Sequence, residues 1–434
     1  MRRLLGMLLV VATGASLVAC GDVTPEKIAR WKETERGPGK LRDAVKSSSL
    51  SPSLRAQALV ALVELGMSAD AIAELETRPS VDRAPVVHEA APRLGQLAGT
   101  GADVTTTRVQ REAKDAMFLL RADAAPADRD ALDDLLIAWT CADLNGRMSL
   151  GGQSSDKILT AIGARATPRL IALLSTEGPN QQQAAAILAK IGDAPTRARA
   201  VDALVESAKK LQQRTRDVPD GLLQSIGVLG GPHATAYLVE VAERGSESLR
   251  ERALFALAQG GAGLDSSALA AAERIAGDKK APGKVREAAF QVAEKIGASA
   301  VPAMVRLMND ADETVRWRAV EAALAAGKDK AVAPVLEALS QSRPYKKEDL
   351  DSYVVHDLGL IGAGALEPLK GELKSKSWVA RIVAVRGIAA VGKAEDAPAV
   401  AALESDGTKL KGFAGSATIG SEAKAAEQAL RAKR

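Results

Sequence analysis

Apolar residues at Val301, Met304, Val305 and Met308 recur at the three-and-four spacing of a single helix face. Asn309-Asp310 follows, with side-chain oxygens suited to a turn. A second stripe runs through Val315, Ala319, Ala322, Ala323 and Ala326, which predicts a second helix from near Thr314, closed by Gly327 in the left-handed conformation. Two helices this short cannot cover their own apolar faces. Like neighbours on both sides can, so the pattern predicts a stack of hairpins.

The rest of the chain supplies such neighbours. Glycines that close an apolar helix fall at Gly66, Gly163, Gly192, Gly230, Gly261, Gly297, Gly327, Gly362 and Gly392. From Gly192 onward they are 38, 31, 36, 30, 35 and 30 residues apart, near the range of helical-hairpin repeats. Eight positions before the glycine stands alanine at Ala58, Ala184, Ala253, Ala289, Ala319 and Ala384, and eleven before it stands arginine at Arg55, Arg250, Arg286, Arg316 and Arg381. The alanine falls mid-helix, where a larger residue would overpack the contact at a cost of ~1–3 kcal/mol. The arginine falls on the first turn, where hydrogen bonds to carbonyls or carboxylates of the adjacent repeat would make a ladder. A row of arginines gripping an anionic partner is the functional alternative.

This double register resembles HEAT repeats, whose first helix commonly carries a proline near its start. Pro302 has counterparts at Pro168, Pro334 and Pro368. The resemblance implies an all-α fold, an α-solenoid (superhelix) of HEAT-like hairpins. It covers roughly Lys40 to Gly392 and is strongest after Ala166. The repeats closing at Gly230 and Gly362 depart from it, with Leu222 and Val354 at the alanine position and Pro219 and Asp351 at the arginine position. Between Gly66 and Gly163 both registers are lost, although Asp70–Glu76, Val86–Leu97, Thr105–Leu120 and Asp128–Ala142 still read as helices. Asn145–Ser155 reads as an irregular loop, either a binding element or a tolerated insertion.

The organisation expected is a leader at 1–19 and an anchor with N-terminal cap at 20–39. The cap holds a short helix from Pro25 to Trp31, broken at Arg36-Gly37-Pro38-Gly39. Divergent helical repeats follow at 40–163 and HEAT-like repeats at 164–397. A C-terminal cap at 398–434 ends in a helix expected from Glu422 to Ala432.

Composition changes this picture in two ways. Aromatics are 3% of the 434 residues while apolar residues are 47%, so the core is built from Ala, Leu, Val and Ile, which suits closely packed helices. The start of the chain then gives an address. Met1-Arg2-Arg3 followed by the apolar run Leu4–Val18 has the charged start and short apolar core of an export signal. Leu17-Val18-Ala19-Cys20 resembles the lipobox of bacterial lipoproteins, in which the cysteine is acylated and becomes the first residue. That resemblance implies lipidation of Cys20 and a membrane anchor of ~0.8 kcal/mol per buried methylene. A plain signal peptide containing a cysteine is the alternative. Gly21 stands where an aspartate retains such proteins in the inner membrane, which favours the outer membrane, facing the periplasm. Cys141 is the one remaining cysteine, so no internal disulfide framework exists, and it reads as a small buried hydrophobe.

The formal net charge of +4 argues against a dedicated nucleic-acid binder. Charge is concentrated instead in the longer turns Gln212–Asp217, Gly277–Pro282 and Ser342–Lys347. Equivalent turns of a solenoid lie along one edge. Arg214, Arg216, Lys279, Lys280, Lys346 and Lys347 are therefore the candidate binding residues, suited to an acidic protein or envelope polymer. Trp317 and Trp378, early in second helices, are contact anchors if exposed and core residues if not. The short acidic turn Asp310-Ala311-Asp312-Glu313 sets its repeat apart and marks a second place to look for partner specificity.

Catalytic signatures are sparse. His88-Glu89 and His356-Asp357 faintly resemble the His-Glu pairs of deoxyhypusine hydroxylases, HEAT-repeat enzymes that hold two irons, but a di-iron site needs more ligands. His233 stands alone at a helix start. Gly387–Ala394 has phosphate-loop spacing, yet it closes a helix instead of opening one, and Ala394 stands where the magnesium-binding hydroxyl belongs. There is no paired-cysteine zinc spacing and no Gly-x-Ser-x-Gly elbow. The expected function is a lipid-anchored, non-catalytic protein-binding scaffold of the bacterial envelope, without cofactor. The rival is an envelope enzyme on the same repeats, a lyase or metal-dependent hydroxylase.

Overall fold

The computed structural model describes residues 23–99, 107–142, 144, 152–175, 178–260, 264–339 and 343–433. The leader with Cys20, and most of the loop Asn145–Ser155, lie outside the described residues. Among the described residues no strand forms, and one isolated antiparallel bridge joins Lys409 to Thr418. None of the described helices is long and apolar enough to cross a membrane. The chain is an α-solenoid of helical hairpins in two compact units, divided between Ile162 and Gly163.

Unit 1 contains α1 (Pro25–Trp31), α2 (Gly37–Lys46), α3 (Pro52–Glu64), α4 (Ser68–Glu76), α5 (Ser80–Ala98), α6 (Arg108–Leu120), α7 (Pro126–Ala142) and α8 (Ser155–Ile162). Helices α2, α4 and α6 neighbour one another, and so do α3, α5 and α7, which is the arrangement of stacked hairpins. Thr24 caps α1 by accepting from the Lys27 N–H. Arg36-Gly37-Pro38-Gly39 does not break the helical run as expected. It opens α2, with Pro38 in the first turn, where a missing N–H costs nothing. Gly37 is needed because a Cβ there would lie 1.6 Å from the Trp31 carbonyl oxygen.

The core of unit 1 includes a fully buried Lys114. Its ammonium donates to Asp115 Oδ1 (2.9 Å) and to the Gln153 carbonyl (2.6 Å), 5.1 Å from the centre of the Trp139 ring. Trp139 is also fully buried, and its indole N–H donates to the Ala98 carbonyl at 3.2 Å. Cys141 is buried, as its composition-based reading expects.

Unit 2 pairs α9 (Thr167–Leu173) with α10 (Pro179–Ile191), α11 (Ala194–Thr215) with α12 (Asp220–Leu229), α13 (Pro232–Arg244) with α14 (Glu247–Ala258), and α15 (Ser266–Gly277) with α16 (Gly283–Ile296). It continues with α17 (Val301–Leu307) and α18 (Glu313–Gly327), then α19 (Asp329–Ala338). The partner of α19 is one continuous run made of α20 (Lys347–Leu350), a π-helical turn (Asp351–Val355) and α21 (His356–Ile361). Last come α22 (Leu366–Glu372) with α23 (Trp378–Val391), and α24 (Ala397–Ala401) with α25 (Ile419–Ala432). First helices pack on first helices and second on second, so the turns inside successive hairpins share one edge.

The repeating alanines are buried as the overpacking argument requires: Ala58, Ala184, Ala253, Ala289, Ala319 and Ala384 are all essentially inaccessible. Leu222 and Val354, which replace alanine in the two departing repeats, are buried as well. Gly327 differs from its expected role. It is the last residue of α18, and the positive φ of 51° falls on Lys328 instead. The glycine serves close approach instead, since a Cβ would lie 2.5 Å from Val301 Cγ2 and 2.7 Å from Ala331 Cβ.

Of the register arginines, Arg55, Arg286 and Arg381 make the expected bonds to the adjacent repeat, and bonds within the hairpin occur as well. Arg250 donates to Ala242 O (2.8 Å), and Arg316 to the carbonyls of Asp310 and Ala311 (3.0 Å each), so both hold the turn of their own hairpin. Arg286 reaches Asp312 of the next hairpin (3.0 Å). Arg381 does both, binding Ser375 O (2.7 Å), Asp406 (3.0 Å) and Thr408 (3.1 Å). A first-turn guanidinium sits beside its own incoming turn, so the nearest orphan carbonyls are local. At the end of the unit, α25 starts at Ile419, earlier than expected, because Thr418 and Ser421 form a reciprocal capping box. The Lys433 ammonium donates to the carbonyls of Ala389, Ala390 and Gly392 and closes the end of α23.

Candidate partner-binding edge and its aromatic pocket

Four of the chain's seven Trp and Tyr residues meet at the turn edge of unit 2. Trp317, on the first turns of α18, stacks on Tyr353 with ring centres 5.0 Å apart and planes 15° apart. Tyr345 stands edge-on to Trp317 at 5.9 Å and to Trp378 at 6.2 Å. Offset and edge-to-face pairs of this kind satisfy the ring quadrupoles and are worth ~0.5–1.5 kcal/mol each beyond their buried area. Trp378 is only 5% exposed and belongs to the core, whereas Trp317 and Tyr345 are half-buried.

Local backbone features put the rings there. The helix after α19 contains the π-helical turn Asp351–Val355, and Tyr353 lies within it. A π-turn adds a residue to the helical winding and so re-aims the side chains it carries. The same turn holds Asp351, which accepts a two-pronged bond from Arg386 (2.6 and 2.5 Å). Tyr345 is fixed by the C-terminal segment: its backbone N–H donates to the Lys411 carbonyl at 2.9 Å. Gly412 follows with φ 94°, and a Cβ there would fall 2.6 Å from the Tyr345 carbonyl oxygen, so this approach needs glycine. Leu410 and Phe413 anchor the segment by burial.

These elements enclose a pocket of about 370 Å³, lined by Met308, Trp317, Val320, Leu339, Pro344 and Tyr345 on its apolar side. Glu313, Arg316, Arg343, Lys346 and Asp349 supply charge of both signs. Arg316 is engaged with backbone carbonyls. Among the described residues, Arg343 and Lys346 form no ion pair.

The six sequence-selected cations lie on this edge, Arg216, Lys279, Lys280 and Lys346 in the turns, Arg214 in the last turn of α11 and Lys347 at the start of α20. Arg214, Arg216, Lys279, Lys280 and Lys346 are exposed, while Lys347 is half-buried and faces Glu422 at 3.8 Å. Only Lys346 lines the aromatic pocket. Sequence reasoning missed the exposed Lys374, Lys376, Lys409 and Lys411 on the following two turns. The acidic turn has mostly structural duties. Asp312 caps α18 through the Thr314 N–H and is held below the usual carboxylate range by the Arg286 hydrogen bond.

The remaining chemistry lies elsewhere. His88 meets Asp128 at 2.8 Å, and that bond raises its pKa. His233 meets Asp202 at 2.7 Å, and His356 is exposed. Among the described residues no three or more His, Cys, Asp or Glu side chains are grouped to hold a metal. On the second-helix surface, Arg318 binds Glu287 (2.8 and 2.9 Å) and Glu294 (2.6 Å), and its cation lies 5.4 Å from the Phe290 ring. Burial raises the nearby Glu321 and Asp357 above the usual carboxylate range.

Residues 275–352, from the end of α15 into the π-turn, match the family model of HEAT repeats. Among solved structures, the chain is similar to the karyopherin Kap121p, at 13% identity and TM-score 0.42 over 84% of this chain and 38% of that one. The crystal structure of Kap121p bound to Pho4p matches at 13% identity and TM-score 0.39, over 94% of this chain and 52% of that one. An engineered protein matches at 18% identity and TM-score 0.28, over 92% of this chain and 99% of that one. The chain thus spans about half or less of the karyopherins it resembles. Among curated proteins none matches the chain.

Proposed function

We propose that the protein is a scaffold of the bacterial envelope, tethered by lipid at Cys20, that binds a protein partner through the turn edge of unit 2 without catalysing a reaction. The observation that carries this reading is the aromatic pocket. Half-buried Trp317 and Tyr345 beside unpaired Arg343 are the residue types that concentrate binding energy at protein interfaces, and Lys346 adds positive charge at the rim. Repeating hairpins hold successive turns at fixed spacing, so one edge presents a long, rigid surface. A lipid at Cys20 would raise the local concentration of that surface at the membrane.

Two tests address the proposal. Affinity purification of the full chain from envelope extracts is expected to recover a protein that is lost with Trp317→Ala and Lys346→Glu; recovery indifferent to both substitutions would remove the edge from the account. Cys20→Ser is expected to move the protein out of the detergent phase, and continued partition with the membrane fraction would contradict lipidation. The enzyme reading would replace the scaffold if purified protein held stoichiometric iron or zinc that disappeared on replacing His88 and His356.

A further inference from the structure

Along the turn edge of unit 2 unpaired cations outnumber unpaired carboxylates, because arginines of the second helices bind three of the turn carboxylates. Asp217 is bound by Arg252, Asp312 by Arg286 and Asp406 by Arg381. All three carboxyls are held below their usual range. Asp217 and Asp312 owe this first to the arginine bonds, while for Asp406 the bonds of Thr408 and Arg381 overcome an upward push from burial. Arg214, Arg216, Lys279, Lys280, Arg343, Lys346, Lys374, Lys376, Lys409 and Lys411 form no ion pair among the described residues. Arginines on the second helices thus hold three carboxylates of the turns, while Asp278, Asp310, Glu313, Glu348, Asp349 and Glu404 form no ion pair among the described residues, so the edge keeps an excess of unpaired positive charge.

From this asymmetry and the pocket together we infer that the edge binds an extended acidic segment of a partner protein, anchored by one uncharged apolar or aromatic side chain in the Trp317–Tyr345 pocket. This rests on the scaffold reading and names the chemistry of its partner. The pocket volume of about 370 Å³ suits one or two side chains. Glu313 and Asp349 in its lining turn away a carboxylate, so the anchor is uncharged, while Arg343 and Lys346 at the same mouth receive acidic residues beside it. Neighbouring helices pack ~8–10 Å apart. A chain in the polyproline II conformation rises ~3.1 Å per residue with three residues per turn, so every third side chain returns to the same face. Acidic residues at every third position therefore keep step with successive turns. A single-stranded nucleic acid would meet the same cations and could stack a base on Trp317, so it is tested as a rival ligand.

The test uses the purified full chain and a labelled synthetic peptide with a central Trp and Glu at every third position, read by fluorescence anisotropy at low and high salt. Two control probes are the same peptide with Lys for Glu and a single-stranded DNA oligonucleotide of equal charge. The Glu peptide is expected to bind, and added salt to weaken it by screening. Trp317→Ala should cost about tenfold in affinity while keeping the salt dependence. Reversing Lys279, Lys280, Arg343 and Lys346 to Glu should abolish binding of this peptide, with circular dichroism confirming that the helices remain. Failure of the Glu peptide, preference for the Lys peptide, or equally tight binding of the oligonucleotide would overturn the inference. If envelope purification still recovers a Trp317-dependent protein while the Glu peptide fails, the acidic-segment inference falls and the scaffold reading stands. If neither binds, both fall.

Discussion

In unit 1 a lysine is fully enclosed, its ammonium shared by Asp115, the Gln153 carbonyl and the face of Trp139. In unit 2, Lys279, Lys280 and Lys346 stand exposed at the turns, and arginines do the internal bonding. The difference follows from how regular each stack is. Where each hairpin repeats the last, a first-turn arginine finds a turn carbonyl or a neighbouring carboxylate in a recurring place, and the turns are left free to carry charge outward. Where the register lapses, as in α6 and α7, polar groups are drawn inside instead: the Lys114 hub, and Arg121 on the buried Asp133. Regularity thus frees a surface for binding, and irregularity concentrates stability at a few residues.

Substitutions at the hub and in the register should separate these two modes. Lys114→Ala should have the largest effect, ~3 kcal/mol in urea unfolding of unit 1, because it empties a fully buried site and takes the ammonium from the Gln153 carbonyl and from Asp115, which keeps only the Gln153 N–H. A loss below ~1 kcal/mol would show that the hub is not what holds the irregular stack. Ala319→Leu should cost ~1–3 kcal/mol by overpacking the second-helix contact. The same change at exposed Ala325, on the same helix, should cost little.

Acid should act on the ladder itself. Asp217, Asp312 and Asp406 have lowered pKa values, so their contribution is present above the usual carboxylate range and lost as pH falls through the lowered values. Glu321 and Asp357, raised by burial, work in the opposite sense: their contribution is present in acid and lost as pH rises through the raised values. Asp406→Asn should therefore reduce the loss of unit 2 stability below about pH 4, followed by circular dichroism. The smallest effect on stability is expected for Lys279→Glu with Lys280→Glu, within about 0.5 kcal/mol, since neither has an ion-pair partner among the described residues. Measurable unfolding by that pair would mean that the edge cations are structural.

Much of the stack was legible in the chain because its signals are local. The alanine eight before each closing glycine marks a buried contact in every hairpin where it occurs, and the short helix from Pro25 to Trp31 forms where Thr24-Pro25 opens it, whereas the Thr418 cap was missed and the last helix starts earlier than expected. Gly327 was misread because a helix-ending glycine has two uses, left-handed backbone and close approach, and only the position of Val301 decides between them. The six edge cations could be chosen from turn length and charge. The pocket could not: Trp317, Tyr345, Tyr353 and Gly412 are far apart in sequence, and what joins them is a π-turn and a returning C-terminal segment with no periodic signature. The Lys114 hub was hidden for the same reason, since a lysine on an amphipathic helix reads as solvated until Trp139 and Gln153 are known to cover it.

Binding through one edge of unit 2 is tested directly by a photo-crosslinking amino acid placed at Lys346 or at Lys295 in living cells. Lys346 lies on the turn edge beside the pocket, and Lys295 is exposed at the opposite end of α16. The account predicts a discrete crosslinked protein from Lys346 that vanishes with Trp317→Ala, and none from Lys295. The same adduct from both positions, or an adduct from Lys295 alone, would contradict it.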